Sequence, residues 1–491
     1  MWLRKWLIGP IVLGFIVLVA WSVFFRKDVT PPQVACHFGA YSLEDGRIIV
    51  FSATGIPKGM RFALMSGETG RLRPAASQSP SVGTGAGVPA GRRRMLNVFE
   101  GGAGWASDSP VVHRVAFEGC GAPGVVVSLD GGQPLKGTRL AFDTADVTFQ
   151  SHGLNLAGRL IMPKGNAAVP VAVQVHGSER DAALLNNRFQ HLLPANGIGV
   201  FVYDKRGTGQ SEGSYTQDFH LLSDDANAAL AAARKVAGRR ALEVGFQGGS
   251  QAGWVIPLAA TKAKADFLLV GFGLAEGPLA EDRDEVFDNL RRAGFGDDVI
   301  AKAREVVAAT AAVMRSDFRD GFEQMDAVRA KYGAEPWFGV IKGEYSGDLL
   351  STPNWMIRLI GPVFDVGTSW EYEPRPALEA CRVPHLWVLA GQDTEAPSIE
   401  TLKILRSIQA GQPELDVVTF PDADHGILEV SGQGNERLPV RFSEGYFQLV
   451  VDWIHTKRLP PRAGSALMYP GSSESVLSSP GQGAVIPENP H

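Results

Sequence analysis

The chain is short of several features that would place it quickly. It has three cysteines in 491 residues, Cys36, Cys120 and Cys381. No pair of them forms a Cys-x-x-Cys, and no histidine, cysteine or carboxylate grouping has the spacing of a metal-ligand set. Dithiol redox chemistry and a zinc module therefore find no support. Charge of one sign is also scarce. Lys and Arg number 47 against 52 Asp and Glu, a net charge of −5, which gives no argument for nucleic-acid binding. Residues 33–141 have no long amphipathic helical pattern. Short alternating stretches at 46–52, 60–64 and 111–117 predict strands instead, hence a small β-rich domain.

Apolar residues make up 45% of the chain, enough for a large core, and the length fits two or three domains. One apolar run stands apart, residues 6–25, flanked by Arg4-Lys5 and Arg26-Lys27. Twenty helical residues span roughly 30 Å, the thickness of a bilayer core. The run reads as an uncleaved membrane anchor. The alternative is a secretory signal cut near Ala20 and Ser22, against which the bulky Trp21, Phe24 and Phe25 argue. The short head before Trp6 cannot hold a domain, so the body is expected outside the cytoplasm. Cys36 and Cys120 would then be free to form a disulfide; unpaired buried thiols are the other reading.

The most informative stretch is LEVGFQGGSQAGWVIPLAA, residues 242–260. Residues 242–246 predict a short buried strand and 250–260 a helix, with Gly248 and Gly249 in the tight turn between them. Such a turn lifts the Ser250 hydroxyl to a helix N-terminus, where free N–H groups favour a developing negative charge. The turn packs backbone on backbone and needs small neighbours, here Gly248, Ala252 and Gly253. A literal Gly-x-Ser-x-Gly occurs at Gly209-Gln210-Ser211-Glu212-Gly213, but it lies past a strand end with no helix following. The strand–turn–helix context selects Ser250.

A serine needs a base, and the base an orienting acid. His425, in PDADHGILE after a predicted strand at 415–420, is the histidine downstream of Ser250 that lies in such a loop. Asp393 follows the strand at 385–390 and is the expected acid. Glu395 is its rival, and Asp422 and Asp424 read as loop residues. The backbone N–H groups of Gln251 and of Ser178, which follows the strand 171–175 in His176-Gly177-Ser178, are the expected oxyanion donors.

With these residues in place, the chain resembles the α/β-hydrolase superfamily, in particular its bacterial esterase and serine-aminopeptidase-like branch. FVYDKRGTGQSEG (201–213) and WVLAGQDTEAP (387–397) are similar to stretches of that branch, and the likeness covers roughly residues 145–458. It implies a mostly parallel sheet with helices on both faces. It also implies a hydrolase of ester, thioester or amide bonds that uses no metal and no cofactor. Ala252 in the elbow and Ala390 before the acid loop depart from the family pattern by small residues.

The expected organisation follows. An anchor or signal occupies 1–27. A β-rich domain spans 28–144, with a mobile loop at 75–94 that ends in three arginines. The catalytic core covers 145–275 and 374–458, interrupted by a helical cap insertion at 276–373, and a disordered tail fills 459–491. Aromatic residues of the insertion (Trp337, Phe338, Trp355, Phe364, Trp370, Tyr372) are expected mainly to pack the cap, a minority to line an acyl pocket. Asp204, Lys205 and Arg206 read as loop braces. The expected activity is ester hydrolysis on a small-molecule or acyl substrate. Aminopeptidase, amidase or acyltransferase chemistry on the same residues, and a non-catalytic binding protein on this scaffold, are the alternatives. Oligomeric state is not legible.

Overall fold

The computed structural model describes residues 32–54, 59–75, 97–105, 110–432 and 437–472. The expected anchor at 6–25, nearly all of the loop at 75–94 and the last part of the tail lie outside them. Among the described residues no helix is long and apolar enough to cross a membrane.

Eight strands close the first part of the chain into an antiparallel barrel: β1 (Gly39–Leu43), β2 (Ile48–Ser52), β3 (Met60–Leu64), β4 (Thr69–Pro74), β5 (Val98–Gly101), β6 (His113–Phe117), β7 (Gly124–Ser128) and β8 (Leu135–Arg139). Closure comes from β8 returning to β1, with Tyr41 opposite Arg139. The strands alternate buried and exposed residues, as β6 and β7 show, because only one face of such a sheet meets a core. That core is aromatic, built on Tyr41, Phe51, Phe62, Phe99 and Phe117. A disulfide joins Cys36 to Cys120, Cα atoms 5.3 Å apart, while Cys381 is free and buried.

The second part is a nine-stranded sheet. Its strands are β9 (Phe142–Ser151), β10 (Leu154–Pro163), β11 (Val169–Val175), β12 (Gly199–Tyr203), β13 (Ala241–Gly249), β14 (Leu268–Gly271), β15 (His385–Ala390) and β16 (Leu415–Phe420), in the order β9-β10-β12-β11-β13-β14-β15-β16. A three-stranded sheet, β17 (Ala423–Asp424), β18 (Leu428–Ser431) and β19 (Leu438–Phe442), follows the last parallel strand, and β20 (Leu467–Tyr469) adds itself antiparallel to β16. Strands β11 to β16 run parallel, β10 runs against them, and β9 pairs antiparallel with β10. Buried on both faces, the parallel strands are near-continuous apolar runs such as VFVY in β12. The exchange of β11 and β12 in the order and the antiparallel leading pair make this the α/β-hydrolase fold. Helices Phe219–Ala237 and Ala252–Lys262 pack one face against Val173, Phe201 and Phe246. Helix Tyr446–Thr456 packs the other through Leu449, Val450 and Trp453.

Between β14 and β15 lie six α-helices, one of them, Arg375–Ala380, after the insertion and five within it, Pro278–Arg292, Asp297–Arg315, Phe322–Tyr332, Ser346–Ser351 and Asn354–Phe364. They enclose apolar clusters of their own around Trp337 and Trp370.

Several expectations are corrected. The tail begins ordered, since β20 pairs with β16 through Val417 and Tyr469. The core begins at β9 rather than at residue 145. After β11 the chain forms two short helices, Ala183–Asn186 and Phe189–Ala195, separated because the Asn187 side chain caps the Phe189 N–H at 2.9 Å and its backbone is extended. Asp224 and Asp225, early in the helix Phe219–Ala237, both face side-chain partners. Asp225 is buried in a two-pronged pair with Arg206, at 2.5 and 2.6 Å, and Asp224 meets Lys262 at 2.8 Å and His152 at 3.0 Å. The helix is capped instead by Asp218, which accepts from the Leu221 N–H.

Candidate active site

Strand β13 ends at Gly249 and the next helix starts at Ala252, leaving Ser250 at the corner with a φ of +57°. A non-glycine residue in the left-handed region costs about 1 to 3 kcal/mol and persists only where its surroundings enforce it. They do so here. The Ser250 N–H donates to the Gly271 carbonyl at 3.0 Å, and the Ser250 carbonyl accepts from the Gly253 N–H at 2.8 Å. Both preceding glycines are sterically required: a Cβ at Gly248 would lie 2.4 Å from the Val175 carbonyl oxygen, and one at Gly249 would lie 2.3 Å from the Phe272 ring.

Asp393 is buried at the end of β15. Its Oδ1 accepts from the Ala396 N–H at 2.7 Å and the Glu395 N–H at 3.1 Å. The carboxylate also meets His425 Nδ1, at 3.0 and 3.1 Å. The other ring nitrogen, Nε2, lies 3.7 Å from Glu395. Asp393 thus takes the orienting position, and its rival Glu395 stands on the opposite side of the ring. The Phe272 ring packs edge-on against the imidazole, centroids 4.9 Å apart.

A clamp that no residue pattern announces joins the two loops. Asp424 Oδ1 accepts from the His425 N–H at 2.9 Å, the Thr394 N–H at 2.9 Å and the Thr394 hydroxyl at 3.0 Å, and Asp424 pairs with Arg437 at 2.8 Å. One carboxylate therefore fixes the acid loop and the histidine loop to each other.

Ser250 and His425 line a common cavity of about 530 Å³, with Gly177, Ser178 and Glu395. No hydrogen bond joins the Ser250 hydroxyl to His425 among the described residues, a looseness common where no substrate is bound. The His176-Gly177-Ser178 loop lies beside the serine: a Cβ on Gly177 would be 3.5 Å from Ser250 Cβ. The loop is braced by buried Lys205, which donates to the Gly177 carbonyl at 2.6 Å, and by Tyr215, whose hydroxyl donates to the Ser178 carbonyl at 2.5 Å. The N–H groups of Ser178 and Gln251 have no acceptor among the described residues. Asp204 accepts from the Leu184 and Gln210 N–H groups, so Asp204, Lys205 and Arg206 all hold loops in place. The insertion's aromatic residues named from the sequence do not line this cavity. Trp370 and Tyr372 face a separate one of about 590 Å³ that contains none of Ser250, Asp393 and His425.

Electrostatics single out the histidine. Burial works against its charged form, but Asp393, then Glu395 and Glu281, outweigh burial and raise His425 to about 9. Glu281 and Glu344 come from the helical insertion, where sequence spacing alone could not connect them to β15 and β17. Burial raises Glu281 well above the usual carboxylate range, with Glu344 adding to it and His425 opposing. Buried Asp282 fixes the segment after Glu344 by accepting from the Tyr345 and Ser346 N–H groups at 2.8 and 2.9 Å.

No family model and no curated protein matches the sequence. Among solved structures, the chain is similar to an esterase of Pyrococcus furiosus at 13% identity and a TM-score of 0.38, over 58% of this chain and 84% of that one. It is similar to the acylaminoacyl peptidase of Pyrococcus horikoshii at 14% identity and 0.35, over 77% and 58%. It is also similar to Est1E of Butyrivibrio proteoclasticus, whose structure holds ferulic acid, at 15% identity and 0.35, over 63% and 96%. These likenesses concern the fold, and the fold assignment rests on the strand order of the chain itself.

Proposed function

We propose that this α/β-hydrolase-fold chain is a serine hydrolase that cleaves carboxylic esters. The observation that carries the reading is the buried Asp393 carboxylate on His425 Nδ1, at 3.0 Å, beside a cavity into which the elbow presents Ser250. In this mechanism the Ser250 hydroxyl attacks the ester carbonyl carbon and loses its proton to His425 Nε2. Asp393 holds the imidazole in the tautomer that leaves Nε2 free and stabilises the imidazolium that forms. The N–H groups of Ser178 and Gln251 take the oxyanion. The imidazolium then protonates the leaving alcohol, and water activated by His425 releases the acid from Ser250.

A second reading has its own support. Glu281 and Glu395 act on His425, and carboxylates beside a base would suit a substrate with a free amine, as in aminoacyl amide hydrolysis. A panel of p-nitrophenyl esters against aminoacyl p-nitroanilides separates the two. Labelling of the full chain by a fluorophosphonate, lost in Ser250→Ala, is the expected result for both. An unlabelled wild-type chain would move the protein to the binding role. We place the body outside the cytoplasm, tethered through residues 6–25; the Cys36–Cys120 disulfide, which oxidising compartments favour, supports this. Extraction of the expressed protein with detergent but not with carbonate would be the matching behaviour.

A further inference from the structure

The Ser250 cavity runs away from His425 towards the barrel, and its far end holds positive charge without a counterion. Arg188 lines that end, its guanidinium 4.3 Å over the Phe442 ring. Trp105, from the barrel, lines the same end and meets Phe442 edge-on at 5.7 Å. On the other face of this aromatic pair's path lies Arg61 of β3, 3.6 Å over the Trp105 ring. Neither arginine forms an ion pair among the described residues, and Arg61 Nε has no hydrogen-bond partner at all. A guanidinium cannot shed its proton to escape burial, so two of them stacked on adjoining rings are costly unless an anion joins them. Burial, with Arg188 and Arg71 nearby, lowers Arg61 to about 9, and burial lowers Arg188 to about 10; no carboxylate acts on either.

The floor of the cavity points the same way. Gln174 and Gln247 face each other across β11 and β13 and are 1% and 3% exposed. Gln174 Nε2 and Gln247 Oε1 nonetheless have no partner. Buried amides are normally satisfied, and a free Nε2 donor in a ligand-sized cavity awaits an acceptor. Of the three carboxylates that line the cavity, Glu395 is 3.7 Å from His425, Glu179 turns to His176 at 3.6 Å, and Asp181 is engaged as well but forms no ion pair with Arg188 among the described residues.

We propose that this end is an anion subsite, in which Arg188 holds a carboxylate or phosphate group that the substrate carries away from its scissile carbonyl, while Arg61, across the Trp105 ring, adds positive charge nearby. The inference rests on Ser250 as nucleophile, and it gives the barrel a share in substrate choice.

Two measurements test it. The first compares p-nitrophenyl butyrate with the mono-p-nitrophenyl ester of glutaric acid. The wild-type chain should prefer the anionic ester, and the ratio of the two kcat/KM values should fall about tenfold or more in Arg188→Gln, the scale of a lost charge-assisted hydrogen bond, and by less in Arg61→Gln. Equal kcat/KM for both esters in the wild type, or a ratio unmoved in Arg188→Gln, overturns the proposal. The second is calorimetry of the full chain with glutarate and with inorganic phosphate, which needs no catalysis. Binding that weakens in Arg188→Gln supports the subsite and shows which oxyanion it prefers; no binding of either anion, or binding unmoved in Arg188→Gln, overturns it. If neither ester is hydrolysed and no fluorophosphonate reacts while glutarate still binds through Arg188, the hydrolase reading fails and the subsite stands.

Discussion

Ser211 and Ser250 both lie in glycine-rich turns, and they behave in opposite ways. Ser211 has the literal Gly-x-Ser-x-Gly spelling, yet its hydroxyl is fully occupied: it donates to the Asp204 carbonyl at 2.6 Å and accepts from the Ala157 N–H at 2.9 Å. It stitches a loop to β10. Ser250 lacks the final glycine, holds a φ of +57° and presents its hydroxyl to a cavity. A spelling can be matched by any loop that needs glycine. What chemistry needs is a side chain that the backbone strains to expose and that no neighbour consumes.

The contrast can be broken most sharply by exchanging the two sites' roles. Ser250→Ala should lower ester kcat/KM by about a million-fold, the scale seen when other serine nucleophiles are removed. Ser250→Gly should lose as much activity while gaining about 1 kcal/mol of stability as the positive φ is relieved. Ser211→Ala should keep kcat/KM within about twofold and lose roughly 1 to 3 kcal/mol, since two buried bonds lose their partner. Denaturant titration and ester kinetics on the three variants would read this out; an inactive but stable Ser211 variant would reverse the assignment. Asp393→Asn comes next, with a loss in kcat of about ten-thousand-fold through the wrong tautomer and little change in KM.

The pH dependence is a smaller but more specific effect. With His425 raised to about 9, its base form is scarce at neutral pH. The kcat/KM for a neutral ester should climb about tenfold per pH unit below that value and level off above it. Stability should move the other way. The charged His425 stabilises the fold fully below its unfolded value near 6.5, and that contribution fades as pH rises towards about 9. A rate profile already flat from pH 6 would contradict the carboxylate field around the ring. The smallest change is expected from Glu395→Gln, which should shift the rising limb to lower pH without abolishing turnover, because Glu395 adds less than Asp393 to the rise.

What could be read from the sequence follows from the same distinction. Strands β11 to β16 were visible as apolar runs because burial on both faces erases alternation. Ser250, Asp393 and His425 each lie where a parallel strand ends, and chain order alone could rank them. The barrel was legible only as scattered strands, since closure depends on β8 finding β1 across nearly a hundred residues. The break at Asn187 was hidden because a side-chain cap competes locally with an otherwise helical pattern. Long-range partners escaped entirely: Asp424 looks like loop filler until Thr394 is placed beside it, and Arg61 looks like an ordinary strand residue until Trp105 and Arg188 converge on the same space.

The barrel's attachment has a consequence for anyone who would rebuild this molecule. The Phe442 N–H donates to the Gly67 carbonyl at 2.8 Å, the Trp105 N–H donates to the Pro439 carbonyl at 3.0 Å, and Glu68 bridges to Arg441. The ribbon that supplies these contacts begins a few positions beyond His425. A front module could not be swapped like a cartridge, because trimming it away would leave that ribbon's outer edge bare and its register undefined, and the imidazole would inherit the slack.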